Sequence, residues 1–277
     1  MHKLATIIVR NTDSLLMSSF IGLATVGLYS NYKLVLNNLN SLVGRFTTAF
    51  SGSIGNLTAQ EEPTRLYTVY REMDFLFFVL AAYLTGGLIL LFNPFITLFF
   101  GADYCFPLAT VLVIVAEFYL SLMRQVNLLF REAMGLFWKD RYKAVAESVI
   151  NLVVSLLLVR PCGVAGIIGG TVISSVCTCV WVEPYILMRY GIREDWKPKL
   201  KLYFAEYARR LVLVAVLGAA SLWWIGRFPV QSVWGFLADG VLYTGVYAAG
   251  ILVLYRRCPE YQSLKARAMG ILQRRRG

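Results

Sequence analysis

Eight apolar stretches, each long enough to span a bilayer, alternate along this chain of 277 residues with connections whose Lys and Arg fall almost entirely on every second loop. They run over residues 4–24, 26–50, 75–98, 107–130, 144–159, 164–188, 211–225 and 233–255. A helix rises about 1.5 Å per residue and a hydrocarbon core is about 30 Å thick, so about 20 residues suffice for each. The class that follows is an all-α membrane protein with about eight transmembrane helices. Of the 27 Lys and Arg, only Arg160 and Arg227 fall in the alternate loops, and within spans lie only Lys33, Arg45, Arg124 and, in the N-terminal part of the first, Arg10, which counts with the N-terminal side. The positive-inside rule then places both termini in the cytoplasm of an inner or plasma membrane.

That placement also disposes of the net charge of +11. In a soluble chain it would point to nucleic acid; in short loops beside apolar spans it points to anionic head groups. The tail over residues 256–277 carries seven basic residues interspersed with Tyr261, Leu264, Met269, Ile271 and Leu272, the pattern of an interfacial amphipathic helix. His2 is the single histidine, and the five cysteines read as structural: Cys177 and Cys179 point to different helix faces, while Cys105 and Cys162 sit in separate outside loops. No cofactor or metal is called for. The longest stretches outside the spans, residues 51–74, residues 189–210 and the tail, hold no nucleophile with a base, no paired carboxylates and no phosphate-cradling glycine loop, which argues against an enzyme. Adjacent Glu61 and Glu62 ahead of Pro63 read as a solvated turn. Nor is the N-terminus a secretory signal, because its apolar run contains Asp13 and continues into the next span.

Ionisable and polar groups in hydrocarbon cost a few kcal/mol each, so they face a protein interior or a wet cavity, and function is to be sought among them. In the second span Ser30, Asn31, Asn37, Asn38, Ser41, Arg45 and Thr48 share one side of a helix, with Tyr32, Val35, Leu36, Leu39, Leu42, Val43, Phe46 and Phe50 opposite. Interhelical hydrogen bonding by asparagines needs one or two such residues, and this helix has seven. Lys33 and Asn40 lie off the stripe, with Lys33 placed either to snorkel outward or to line a cavity. In the fourth span Glu117, Ser121, Arg124 and Arg131 recur on one face. In the fifth, Glu147, Asn151 and Ser155 follow at four-residue steps, Glu147 being equally placed to pair with the adjacent basic loop. Asp13, one turn from Arg10, suits either a structural ion pair or a proton or sodium site. Gly163, Gly166, Gly169, Gly170 and Thr171 open the sixth span as a seam for close helix packing, and Pro184 is placed to kink its far end.

Several phrases taken in order resemble one family. They are Asn11-Thr12-Asp13, Val26-Gly27-Leu28-Tyr29-Ser30-Asn31-Tyr32, Ser53-Ile54-Gly55-Asn56-Leu57, Phe92-Asn93-Pro94-Phe95-Ile96 with Gly101-Ala102-Asp103-Tyr104, and Arg131-Glu132-Ala133-Met134-Gly135-Leu136-Phe137. Glu147 with Asn151, the glycine run from Gly163 to Thr171, and Trp181 with Pro184 complete the set. Over residues 4–190 the chain resembles the Wzx-type flippases for lipid-linked oligosaccharides, in the superfamily that also holds multidrug and toxic compound extrusion transporters. The resemblance implies the second six-helix lobe of a 14-helix flippase over residues 1–190, a basic loop and the two final helices over residues 191–255, and a basic tail over 256–277. It implies further that a first lobe is missing or is supplied by a separate partner chain.

The function so implied is flipping of undecaprenyl-diphosphate-linked oligosaccharide across the bacterial cytoplasmic membrane for O-antigen, capsule or exopolysaccharide synthesis. A cationic, Asn-rich cavity would supply charge for the diphosphate and hydrogen bonds for the glycan, with alternating access of two lobes. Under this reading Arg45, Arg124 and Lys33 face phosphate, Asn31, Asn38 and Ser41 face sugar, and Asp13, Glu117 or Glu147 couple ions. A drug or cation antiporter of the same superfamily is the competing transporter, and would favour acidic residues in the cavity. A non-transporting membrane scaffold in a glycan-assembly complex is the alternative of a different class.

Overall fold

The computed structural model describes residues 13–60, 63–230 and 232–274, and among them every regular element is helical. Helix α1 covers residues 13–20. It is followed by α2 (Leu23–Gln60), α3 (Pro63–Phe99), α4 (Leu108–Met123), α5 (Gln125–Ala133), α6 (Arg141–Ile186), α7 (Trp196–Arg227), α8 (Val233–Tyr255) and α9 (Pro259–Arg274). His2, Lys3, Arg10, the Asn11-Thr12 pair and the Glu61-Glu62 turn lie outside the described residues.

Helix α3 forms the centre. Phe78, Ala81, Ala82, Phe92 and Ile96 are all fully or nearly fully buried along it, and α4, α7 and α8 pack around it. Alanines let neighbouring backbones approach, which matters in lipid because tails are as apolar as Leu and close packing takes over from the hydrophobic effect. Helix α8 is fastened by hydroxyls: Tyr243 donates to the Tyr83 carbonyl at 2.7 Å and Tyr247 to the Val79 carbonyl at 2.5 Å. Its opposite side leaves Val241, Val246 and Val253 exposed, a face suited to lipid.

Helix α6 is a hairpin. At Gly163 the backbone takes φ 56° and ψ −130°, a conformation open to glycine and disfavoured for residues with a Cβ, and the chain reverses there. Ser155 Oγ donates to the Ile167 carbonyl at 2.9 Å and Asn151 Nδ2 to Thr171 Oγ1 at 2.7 Å, so contacts step away from the turn along both legs. A Cβ on Gly166 would collide with the Leu158 carbonyl, and one on Gly170 with the Ser155 hydroxyl. The glycine run is therefore a packing seam between two legs of one hairpin.

Five helices among the described residues are long and apolar enough to cross a membrane: Thr64–Phe99, Leu108–Ala133, Arg141–Ile192, Trp196–Arg227 and Val233–Tyr255. The expectation of eight spans is met only in this coarser form. The fifth and sixth expected spans are the two legs of α6, the first falls in part outside the described residues, and α2 is a helix of 38 residues whose polar stripe dilutes its hydropathy. Two expected loops are also helical. Helix α2 continues to Gln60 and α3 starts at Pro63, while α7 begins at Trp196, so the basic stretch 196–210 is its first four turns. Backbone hydrogen bonding continues past the hydrocarbon edge because charged side chains such as Lys and Glu are good helix formers in water. What remains of the latter loop is a π-helical turn at Leu187–Ile192 and a short link in which Arg193 and Asp195 have positive φ.

Helix α9 docks on the base of the bundle rather than standing apart. Arg71 of α3 pairs with Glu260 of α9 and, at 2.7 Å, with Glu206 of α7. Glu72 accepts from Ser263 and pairs with Arg267 at 2.8 Å. Arg210 of α7 is buried against Asp74 of α3 and lies 5.0 Å from the Phe78 ring centre.

Candidate functional site

The polar stripe of α2 faces outward from the bundle. Asn37, Asn38, Ser41, Arg45 and Thr48 are exposed, whereas Tyr32, Leu36 and Val43 on the other side are buried. The inward side is fixed near its N-terminal end by Tyr32, whose hydroxyl donates to Asn93 Oδ1 at 2.6 Å and accepts from the Phe106 amide at 2.9 Å. Near the other end Thr58 reaches the Ala133 carbonyl of α5 at 3.5 Å. The stripe residues return their hydrogen bonds to their own helix: Asn38 donates to Leu34 O at 2.8 Å, Ser41 to Asn37 O at 2.7 Å and Thr48 to Gly44 O at 2.9 Å. Arg45 has no acidic partner among the described residues. The expected apolar face is not wholly covered either, since Leu42 and Phe46 are exposed.

At the N-terminal end of the stripe, α2, α4 and the second leg of α6 meet α1 at Asp13. Its carboxylate is within electrostatic reach of Lys33 from α2 and Glu117 from α4, with Thr171 from the second leg of α6 beside it. Oδ1 of Asp13 is buried without a hydrogen-bond partner. Lys33 also lies over the Tyr29 ring at 5.2 Å. Thr171 is held in turn by Asn151, so the polar face of the first α6 leg joins this cluster through the hairpin seam. Asn31 is half-buried.

Arg124 occupies a different environment. It caps α4 about 10 Å along the axis from Glu117, and pairs with Glu183 at 2.7 Å and Glu147 at 3.3 Å. Glu183 also pairs with Lys143, which lies 3.8 Å from Asp140, itself paired with Arg131. Three cations thus meet three carboxylates in one network, with Glu183 at its centre 1 % exposed and Arg124 and Glu147 partly buried at its edge. Desolvating so many charges is tolerable only because each is paired. The placement of Arg124 toward phosphate and of Glu147 toward a coupled ion therefore meets a competing fact: both are already engaged with each other and with Glu183. The proximity of Glu147 to the basic connection, recognisable in the sequence, is realised through this network.

Glu183, at the centre of this network, belongs to no motif in the sequence; its signal there is an ionisable residue in an apolar run, beside the more conspicuous Pro184. Asp74 and Arg210 were hidden similarly, inside stretches assigned to loops. Among the described residues no group of three His, Cys, Asp or Glu side chains is placed to hold a metal ion, and all five cysteines are free thiols. Chemically the site offers an exposed row of amides, hydroxyls and one guanidinium, adjoining a cluster of two carboxylates and one amine. Neither a protein-family model, nor a curated protein, nor a solved structure matches this chain.

Proposed function

We propose that this chain is one lobe of a flippase for undecaprenyl-diphosphate-linked oligosaccharides in the bacterial cytoplasmic membrane, with its basic helix ends and both termini in the cytoplasm. The reading rests on the α2 stripe. Four polar residues, Asn37, Asn38, Ser41 and Thr48, and a guanidinium without an acidic partner among the described residues are costly against lipid on one exposed face, and become favourable when a second lobe closes over them to form a hydrated cavity. Arg45 would then meet the diphosphate by charge-assisted hydrogen bonds, and Asn31, Asn38 and Ser41 the glycan hydroxyls. Lys33 sits where the stripe meets Asp13 and Glu117, which are the groups placed to exchange a proton or cation as the lobes rock. Arg124 and Glu147 serve this reading as positioning residues, locking α4 to the α6 hairpin.

A drug or cation antiporter is the second reading, and the excess of Asp13 and Glu117 over Lys33 favours it. The two differ in what Arg45 does. In a complete transporter containing this lobe, Arg45→Ala is expected to lower glycan export about tenfold or more without changing membrane abundance, because one charge-assisted phosphate contact is worth about 1.5 to 3 kcal/mol. Leu42→Ala on the same helix should leave export unchanged. Wild-type export by Arg45→Ala would remove the oligosaccharide reading.

A further inference from the structure

We infer that the corner between α8 and α9 binds the phosphate of an anionic phospholipid. A shallow, open groove lies there, lined by Leu252, Val253, Arg256, Tyr261, Gln262 and Lys265. Its two halves differ chemically. Leu252 and Val253 belong to the last turn of the apolar helix α8 and are 52 % and 69 % exposed, so they continue the face that α8 presents to lipid. Arg256 follows directly, and Lys265 stands one turn beyond Tyr261 on α9, which runs off in a new direction after Cys258.

The basic groups in the groove are not engaged elsewhere. Arg71, Arg210 and Arg267 nearby are all consumed by Glu206, Glu260, Asp74 and Glu72. Arg256 and Lys265 have no carboxylate partner among the described residues, and no acidic residue lines the groove. The ion pairs of Arg71 with Glu260 and of Glu72 with Arg267 hold α9 against α3, so Lys265 is carried on a docked helix. Gln262 adds to this by donating to the Arg256 carbonyl at 3.4 Å, tying the first turn of α9 to the end of α8. A phosphate between Arg256 and Lys265 would have its acyl chains laid along Leu252, Val253 and the exposed Val246 above. A soluble phosphate would use the cations and leave that apolar wall unused. The occupant that matches both halves is therefore a phospholipid with a net negative head group.

Native mass spectrometry of the purified chain tests this with phosphatidylglycerol and phosphatidylcholine of identical acyl chains, alone and with millimolar inorganic phosphate. Phosphatidylglycerol should be retained in preference to phosphatidylcholine and should resist inorganic phosphate. At about fivefold in affinity per basic residue, Lys265→Gln should weaken retention about fivefold and Arg256→Gln/Lys265→Gln about 30-fold. The charge-matched pair Lys201→Gln/Arg257→Gln, on exposed positions outside the groove, should leave it unchanged. Should the double variant release α9, as read by hydrogen exchange over residues 259–267, the single Lys265→Gln is decisive. Equal retention of both lipids, equal losses in the two charge-matched variants, no loss in Lys265→Gln, or displacement by inorganic phosphate would each overturn the inference.

Discussion

Two arginines of similar sequence context have opposite surroundings. Arg124 is bound by two carboxylates inside the bundle, and Arg45 stands on an exposed face. Removing one member of a buried ionic network strands its partners and costs about 3 to 5 kcal/mol. Glu183→Gln is therefore expected to leave Arg124 and Lys143 undercompensated and to lower the unfolding temperature and membrane abundance sharply. Arg124→Ala should do the same, by leaving Glu147 without its guanidinium. Arg45→Ala should leave both quantities at wild-type levels. Thermal unfolding in detergent, run beside quantification in membranes, checks all three. Equal stability of Glu183→Gln and wild type would mean that the network contributes nothing to the fold.

At the scale of elements, the α6 hairpin depends on two backbones in contact. Gly166→Ala would drive a methyl into the Leu158 carbonyl, whereas at Gly169 the nearest atom stands 4.0 Å away. The expected outcome is a loss of stability in Gly166→Ala and none in Gly169→Ala, measured by the same unfolding assay. The hairpin was largely legible beforehand: the four-residue recurrence of Glu147, Asn151 and Ser155 and the glycine run each mark one leg. What the recurrence could not reveal is its partner, since a polar face reads alike whether it meets water or Thr171. Helix α9 shows a similar limit. Its amphipathic pattern gave a helix at the membrane surface, while its docking rests on Arg71 and Glu72, nearly 190 residues earlier.

That docking has a sign with pH. Burial works against the charged Glu260 carboxylate, but hydrogen bonds from Cys258 and Arg71 outweigh it and hold the group below the usual glutamate range. A carboxyl lowered on docking stabilises the docked state fully above its ordinary value of 4.5, and loses that contribution as pH falls through the docked value. Amide exchange over α9, corrected for intrinsic rates, should be level from neutral pH to about 4.5 and should rise below it. Glu260→Gln should show the raised exchange already at neutral pH. Flat exchange down through the acid range in wild type would exclude Glu260 as a latch.

For the whole molecule, the two polar systems divide the labour. The network around Glu183 ties α4, α5 and the α6 hairpin into one body, and the stripe of α2 stays outside it, available to a partner surface. Several of the short phrases that carry the family resemblance in the sequence have a physical role here: Asn93 and Tyr32 lock α2 to α3 and the loop before α4, and Arg131 closes on Asp140. The count of spans was less legible, because the polar stripe of α2 hides it from a hydropathy criterion, whereas the two legs of α6 match the fifth and sixth expected spans. The most direct test of the flippase reading is the sidedness of lipid-linked oligosaccharide in cells from which this chain has been removed. The expected result is loss of surface polysaccharide together with accumulation of undecaprenyl-diphosphate-linked oligosaccharide that is labelled only after the membrane is opened. Unchanged surface polysaccharide, with no rise in that inward-facing pool, would contradict it.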